Sequence, residues 1–328
     1  MLKARKLVIA TLIATSSLMT FNSANAADYP PKTINMVAPS GAGGGWDLTI
    51  RTVAKTLKDT GIVKSNLPVI NRPGGGGAVN LAYMQTQKGK GDLIAVYSPP
   101  LLLTNLTGLT RYSYKDTTPI ARLITDYAAF VVPRNSRYKT IKDVMDALKK
   151  DPKSVKIGGT SAAGSMDHIQ FLLVAKAAGV KDLRKIDYIS FQDGSLVAQV
   201  LGGHVDLIST GLGDVSELVK SGKLHALAQT ADKRVGDGAI ADIPTVKESG
   251  IDVTFENWRG LFAPKDMPKA ALTYWREAIK KMVKTDEWKA ALKRNGWGNA
   301  YQDDTEFKTF LGKTNEQYKT LIKEVFGR

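Results

Sequence analysis

Two glycine-rich turns carry the residue types in this chain best suited to holding an anion. The first is Ser40-Gly41-Ala42-Gly43-Gly44-Gly45-Trp46-Asp47. The second is Gly158-Gly159-Thr160-Ser161-Ala162-Ala163-Gly164-Ser165-Met166-Asp167-His168. Each follows a short apolar run that reads as strand and precedes a stretch that reads as helix. Glycine permits positive φ and lets a backbone come close to a ligand. The free N–H groups and the dipole at a helix start favour negative charge. Hydroxyls of Ser40, Thr160, Ser161 and Ser165 add neutral donors. Two such turns facing each other can bind a small polycarboxylate without an arginine clamp. Either alone is also an ordinary tight connection; their matching placement is what points to a site. Gly74–Gly77, after Asn71-Arg72-Pro73, is either a third ligand-facing turn or a structural one.

The charged candidates are few. Asp47 falls in a helix first turn, where a carboxylate stabilises exposed N–H groups; it reads first as a brace for its loop and second as a ligand contact. Asp193 and Asp214 fall in turns after strands. Arg259 stands just before an apolar strand, where it can face a cleft or pair with an acid. His168 reads as a ligand-facing or capping residue, and His204 and His225 as structural ones. Nucleotide chemistry is not indicated. Trp46 occupies the position of the third glycine in a dinucleotide fingerprint, and no phosphate-loop sequence occurs. Ser165 and His168 lie three apart at one helix start without a third member, and no nucleophile elbow is present. With 0 Cys, a thiol nucleophile and a cysteine-held metal are excluded, and 3 His do not point to a histidine-rich metal site. No catalytic residue, cofactor or metal is therefore expected.

The elements that must position these turns alternate strand with helix. Ile34–Ala38, Pro68–Asn71, Leu93–Tyr97, Ala128–Val132, Tyr188–Phe191, Val205–Ser209 and His225–Gln229 read as strands, and Ile157 ends another. Helices are expected at Asp47–Asp59, Ala78–Gln87, 167–178 and Ser195–Leu201. Another begins after a Thr140 cap with Asp143 as its capping-box acid, and two or three close the chain beyond Pro268. Repeated βαβ units imply parallel sheets covered by helices, an α/β fold. Two apolar strands end alike, Phe130-Val131-Val132-Pro133 and Leu261-Phe262-Ala263-Pro264, and bracket a complete α/β unit. An insertion between two crossover strands makes a discontinuous first domain, 27–126 with 253–328, and a continuous second one, 127–252. That is hinge architecture with a ligand between domains.

The N-terminus points outside the cytoplasm. Lys3, Arg5 and Lys6 form a basic region, Leu7 to Met19 an apolar stretch too short to span a bilayer comfortably, and Ala24-Asn25-Ala26 a cleavage site. Residues 1–26 therefore read as a cleavable signal, with no cysteine to carry a lipid. The product is expected to be an exported, periplasmic protein. Formal charge is +15, and losing three signal-peptide cations leaves +12. The lysines are scattered through amphipathic stretches rather than interleaved with aromatics, so a nucleic-acid partner is not expected; the field is a mild attraction for anions.

The ordered set of these segments, continued by Leu201-Gly202-Gly203-His204-Val205-Asp206 and Asn257-Trp258-Arg259-Gly260-Leu261-Phe262-Ala263-Pro264, resembles the extracytoplasmic solute receptors of tripartite tricarboxylate transporters, which include the Bug receptors. The Gly-Gly-Trp-Asp and Trp-Arg-Gly segments are most similar to the tricarboxylate branch. The resemblance covers essentially the whole mature chain. It implies a two-domain Venus flytrap, a type II periplasmic-binding-protein fold, that closes on a small organic carboxylate, citrate-like or dicarboxylate. It carries ligand contact by position onto Ser40, Gly41, Ala42, Gly43, Gly44, Gly45 and Asp47, and onto Thr160, Ser161, Gly164, Ser165, Met166 and His168. Membrane permease subunits are the implied partners, and a monomer is expected. The alternatives are an organic-acid sensor of the same shape and, less well supported, an exported hydrolase.

Overall fold

The computed structural model describes residues 29–191 and 195–327. The expected signal segment and Asp193 lie outside the described residues. Ten strands and ten helices are described. The strands are β1 (Asn35–Ala38), β2 (Val69–Asn71), β3 (Leu93–Tyr97), β4 (Thr117–Pro133), β5 (Ile157–Gly159), β6 (Tyr188–Ser190), β7 (Leu207–Gly211), β8 (Leu224–Gln229), β9 (Glu256–Pro264) and β10 (Gly298–Gln302). The helices are α1 (Gly45–Asp59), α2 (Ala78–Thr86), α3 (Pro100–Leu106), α4 (Ile141–Lys150), α5 (Met166–Ala177), α6 (Leu196–Leu201), α7 (Leu212–Lys220), α8 (Lys269–Met282), α9 (Asp286–Asn295) and α10 (Asp304–Phe326).

The strands follow the order β2-β1-β3-β9-β4-β7-β5-β6, with β8 and β10 also paired to β4. Strand β4 joins two half-sheets. Thr117–Tyr127 pairs antiparallel with β9, and Ala128–Pro133 pairs with β7 and β8. The β1–β2, β1–β3, β5–β6 and β5–β7 pairs are parallel, as the βαβ pattern requires. The sheet is nevertheless mixed, because β9 runs antiparallel to both β3 and β4.

Strand β4 is much longer than the apolar run Ala128–Val132. Arg122 and Asp126 interrupt the hydrophobic pattern, yet both are buried because each finds a partner on β9: Glu256 for Arg122 and Arg259 for Asp126. Buried charges persist only when paired. Helix α4 starts as its sequence specifies. The Thr140 hydroxyl accepts the Asp143 N–H, and Asp143 accepts the Thr140 N–H, a box worth about 1 kcal/mol. Helices α3 and α7 have no counterpart in the sequence reading. Both are short, and α3 opens on Pro99-Pro100, where a missing N–H costs nothing.

Along β9, alternation sends Trp258 and Phe262 into one core, against Phe307 of α10, and Leu261 and Ala263 into the other, against α1 and α8. Asn257 and Arg259 share the latter face. Because β9 is antiparallel to β3, its first residues lie at the carboxyl ends of β1 and β3. Helix α10 starts on the first half, where Asp304 pairs with Arg276, and ends on the second. There the Arg184 Nε–H donates to the Val325 carbonyl at 2.7 Å, and Lys176 pairs with Glu324.

Candidate functional site

A cavity of about 300 Å³ opens at the carboxyl ends of β1 and β3 and is closed from the opposite side by the turn before α5. That volume is at the small end of ligand sites. Open α/β sheets bind ligands at this place because helix starts converge there. Ten residues singled out by the sequence reading line it: Ser40, Gly41, Gly44 and Gly45 from the first turn, Thr160, Ser161, Ser165 and Met166 from the second, and Asp214 and Arg259 from α7 and β9. Gly74, Gly75 and Gly76 line it too, so the third glycine turn faces the cavity. All four glycines of Gly74–Gly77 have positive φ. A β-carbon on Gly77 would lie 2.9 Å from the Tyr97 ring and 3.2 Å from Trp46, so no larger residue fits.

The cavity's one buried cation is Arg259, 4% exposed. Nη1 donates to Thr49 Oγ1 at 3.2 Å, and Nη2 faces Asp126 Oδ2 at 3.4 Å. The guanidinium also sits 5.6 Å from the Trp297 ring centroid. The Thr49 hydroxyl is fixed in turn by donating to the Gly45 carbonyl at 2.7 Å. A 3.4 Å ion pair is long for a guanidinium and carboxylate, so Arg259 keeps donor capacity for a ligand. Gly45 is what admits it: a β-carbon there would stand 2.6 Å from Nη2. Beside it, α1 begins with no side-chain cap on its first N–H groups.

Five residues expected to contact a ligand lie off this cavity. Ala42, Gly43, Asp47, Gly164 and His168 do not line this cavity. Asp47, 4% exposed, turns inward. It accepts the Gly43 N–H at 2.9 Å, Arg51 Nε at 2.9 Å and Asn71 Nδ2 at 2.8 Å. Burial would raise its pKa, but bonds from Arg51, Gly43 and Asn71 outweigh that and hold it low. Asp167 does the same for the second turn: Oδ2 accepts the Thr160 and Ser161 N–H groups and the Thr160 hydroxyl. His168 Nδ1 accepts the Gly164 N–H at 3.0 Å, which places its proton on Nε2, and its ring stacks on Tyr188. It lines an adjoining hollow of about 400 Å³ instead, together with Gly164 and Phe326. These acceptors consume N–H groups that the sequence reading assigned to ligand. What remains for an anion includes the start of α1, Arg259 and the hydroxyls of Ser40, Ser161 and Ser165, that of Thr160 being given to Asp167. Ser165 and His168 form no nucleophile–base pair, since the imidazole acceptor is already taken.

Asn257, Trp46 and Ser98 line the cavity without having been singled out. Asn257 lies two residues before Arg259 on the same strand face, a signal that strand alternation offers once β9 is known to begin at residue 256. Trp46 Nε1 donates to Ser98 Oγ at 2.9 Å and ties α1 to the end of β3; nothing local in the sequence announces that contact.

The two braces of the second turn titrate in opposite senses. Burial pushes Asp167 up to about 6 against the bonds from Ser161 and Thr160, and pushes His168 down to about 4. Asp167 thus contributes stability that is full below its unfolded pKa of about 4 and lost as pH rises through 6. His168 contributes stability that is full above about 6.5 and lost as pH falls toward 4. Thermal melts between pH 4 and 7.5 should therefore show Asp167→Asn abolishing a gain on acidification, and His168→Phe abolishing a loss. Variants whose pH profiles parallel the wild type would contradict both assignments.

Two half-sheets sharing a strand, with helix starts from each converging on one cavity, make this a periplasmic solute-binding protein in fold. The sequence profile of the tripartite tricarboxylate transporter family receptor, TctC, matches residues 50–326, and the chain belongs to that family. It is 26% identical to Protein BugT of Bordetella pertussis over 97% of this chain and 96% of that one. A TctC solute binding protein from Polaromonas, solved with no ligand, is 30% identical with a TM-score of 0.68, covering 90% of this chain and 99% of the other. An R. palustris protein solved with adipate shares the fold at a TM-score of 0.80 and 19% identity, covering 91% and 98%.

Proposed function

We propose that this chain is the extracytoplasmic receptor that captures a small organic carboxylate, a dicarboxylate or a citrate-like tricarboxylate, and delivers it to the permease of a tripartite transporter. It performs no catalysis in this reading. The observation that carries the proposal is Arg259: a buried guanidinium with a loose acidic partner, lining a cavity walled by both halves of the chain. Residues 27–126 with 253–328 form one domain and 127–252 the other. They hinge where β4 changes partners and where the chain returns into β9, with the last turn of α10 resting across the divide. Ligand carboxylates engage Arg259, the start of α1 and the hydroxyls of Ser40, Ser161 and Ser165. Closure brings the second turn onto the bound acid, and the closed form is what the permease recognises. A protein of the same fold solved with adipate supports a carboxylate as the ligand class. Residues 1–26 direct export and are cleaved; among the described residues no helix is long and apolar enough to cross a membrane. The mature receptor acts as a monomer.

Charge-assisted hydrogen bonds contribute roughly 1.5–3 kcal/mol each. Three or four, less ordering costs, suit about micromolar affinity. Calorimetric titration should report the binding directly, and di- and tricarboxylates should raise the melting temperature of the mature chain with the logarithm of ligand excess. Matched uncharged amides should not. Amides that bind as well as the acids, or acids that produce no shift from ligand-stripped protein, would overturn the proposal.

A further inference from the structure

The proposed carboxylate site contains acceptors that a plain carboxylate cannot satisfy. Asp214, in the first turn of α7, lines the cavity beside Arg259. Its Oδ2 takes the Thr210 hydroxyl at 3.2 Å, and the residue is exposed. Asp126 lies just behind. A β-carbon on Gly211 would stand 2.9 Å from Asp214 Oδ2 and 3.2 Å from Asp126 Oδ2, so both acids crowd one point on the wall. Asn257, 2% exposed, adds an Oδ1 with no partner in the protein, and Ser165, 3% exposed, a hydroxyl with none. Both line the same cavity. Arg259 answers one carboxylate of a ligand. A second carboxylate placed against Asp214 and Asn257 Oδ1 would set acceptor against acceptor and charge against like charge. The penalty differs between the groups: Asn257 Oδ1 is buried, and a buried polar group left unpaired by its ligand costs more than a neutral contact returns, whereas Asp214 is exposed and contributes like-charge repulsion.

We infer that the ligand is an organic acid bearing a hydrogen-bond donor, a hydroxyl or an ammonium group, beside its carboxylate, and that Asp214 with Asn257 reads that donor. The inference rests on the carboxylate-receptor reading and narrows it. Carboxylate oxygens take Arg259 and the start of α1, and the donor turns to the α7 side, where Asp214 accepts it. The unsubstituted acid leaves Asn257 Oδ1 without a partner and sets its own charge against Asp214, which is the source of the discrimination.

The test is calorimetric titration of the mature, ligand-stripped protein with two matched sets: succinate, malate and aspartate; and propane-1,2,3-tricarboxylate and citrate. In at least one set, an acid carrying the donor should bind about 10-fold or more tighter than its parent. Malate or citrate as the tighter ligand identifies a hydroxyl, and aspartate an ammonium group. In the Asp214→Asn variant the preference should shrink below about threefold, because affinity for the donor-bearing acid falls while that for the parent holds or rises as repulsion is removed. Equal binding of parent and substituted acids, or a preference unchanged in Asp214→Asn, would overturn the inference and leave the carboxylate receptor standing. No binding of any of the five would overturn both. Asp214 is exposed at a helix start, so its amide is not expected to unfold the protein, and a melting curve checks that directly.

Discussion

Replacing Arg259 with Met should lower affinity for the bound acid by roughly 10- to 150-fold, the worth of one or two charge-assisted bonds. Lys at this position should recover only part, since an ammonium lacks the planar fork that spans Thr49, Asp126 and a ligand together. The single variant has a second effect. Asp126 is 2% exposed, and without Arg259 it is left buried and unpaired, a change that costs several kcal/mol. Its pKa, already pushed up to about 6 chiefly by burial and by nearby Asp214, against Arg259 and the N–H groups of Tyr127 and Gly213, would climb further. The decisive protein is therefore the double variant Arg259→Met with Asp126→Asn, which removes both charges. It should melt close to the wild type and still fail to bind by calorimetry. A folded double variant with wild-type affinity would remove Arg259 from the site.

Gly45→Ala should be nearly as damaging, for a steric reason. The new methyl would occupy space within 2.6 Å of Arg259 Nη2 and 3.0 Å of its Cζ, so the guanidinium must move away from the start of α1. The two anion-binding elements then no longer converge. A loss of about tenfold or more in affinity is expected. Alanine is otherwise the better helix residue by about 0.5–1 kcal/mol, which partly offsets the displaced ion pair, so the melting temperature should change little. Combining the variants tests the route. If Gly45→Ala acts through Arg259, it should cost nothing further in the Arg259→Met background. Additive losses would mean that the methyl blocks the ligand directly.

Much of the fold, and the position of the glycine turns in it, was legible in the sequence. Glycine runs at strand-to-helix junctions, hydroxyls beside them and the strand–helix rhythm are local properties, written in spacings of two to seven residues. That is why both turns, the capping box at Thr140 and the placement of Ser40, Gly45, Thr160, Ser165 and Arg259 on one cavity could be anticipated. The order of these segments along the chain also carried the family. What required the tertiary structure was which partner each polar group had already taken. Asp47 reaches back to Gly43 and across to Asn71, His168 reaches back to Gly164, and Asp167 accepts from Thr160 and Ser161. No residue count reveals whether a turn's N–H groups point at a ligand or at their own helix.

The longest-range pairings were the least visible. Arg122 with Glu256 and Arg259 with Asp126 join residues more than 130 positions apart, and only those pairings let β4 run unbroken through a stretch that looks too polar to be buried strand. The sequence by itself determined the α/β alternation, the three glycine turns and the family, because backbone freedom and hydrophobic period act over a few residues. The tertiary structure decided that Gly45 is empty to admit Arg259, that Asn257 shares its cavity, and that β4 belongs to both half-sheets. Those outcomes depend on desolvation and charge pairing, which are settled only when distant segments meet.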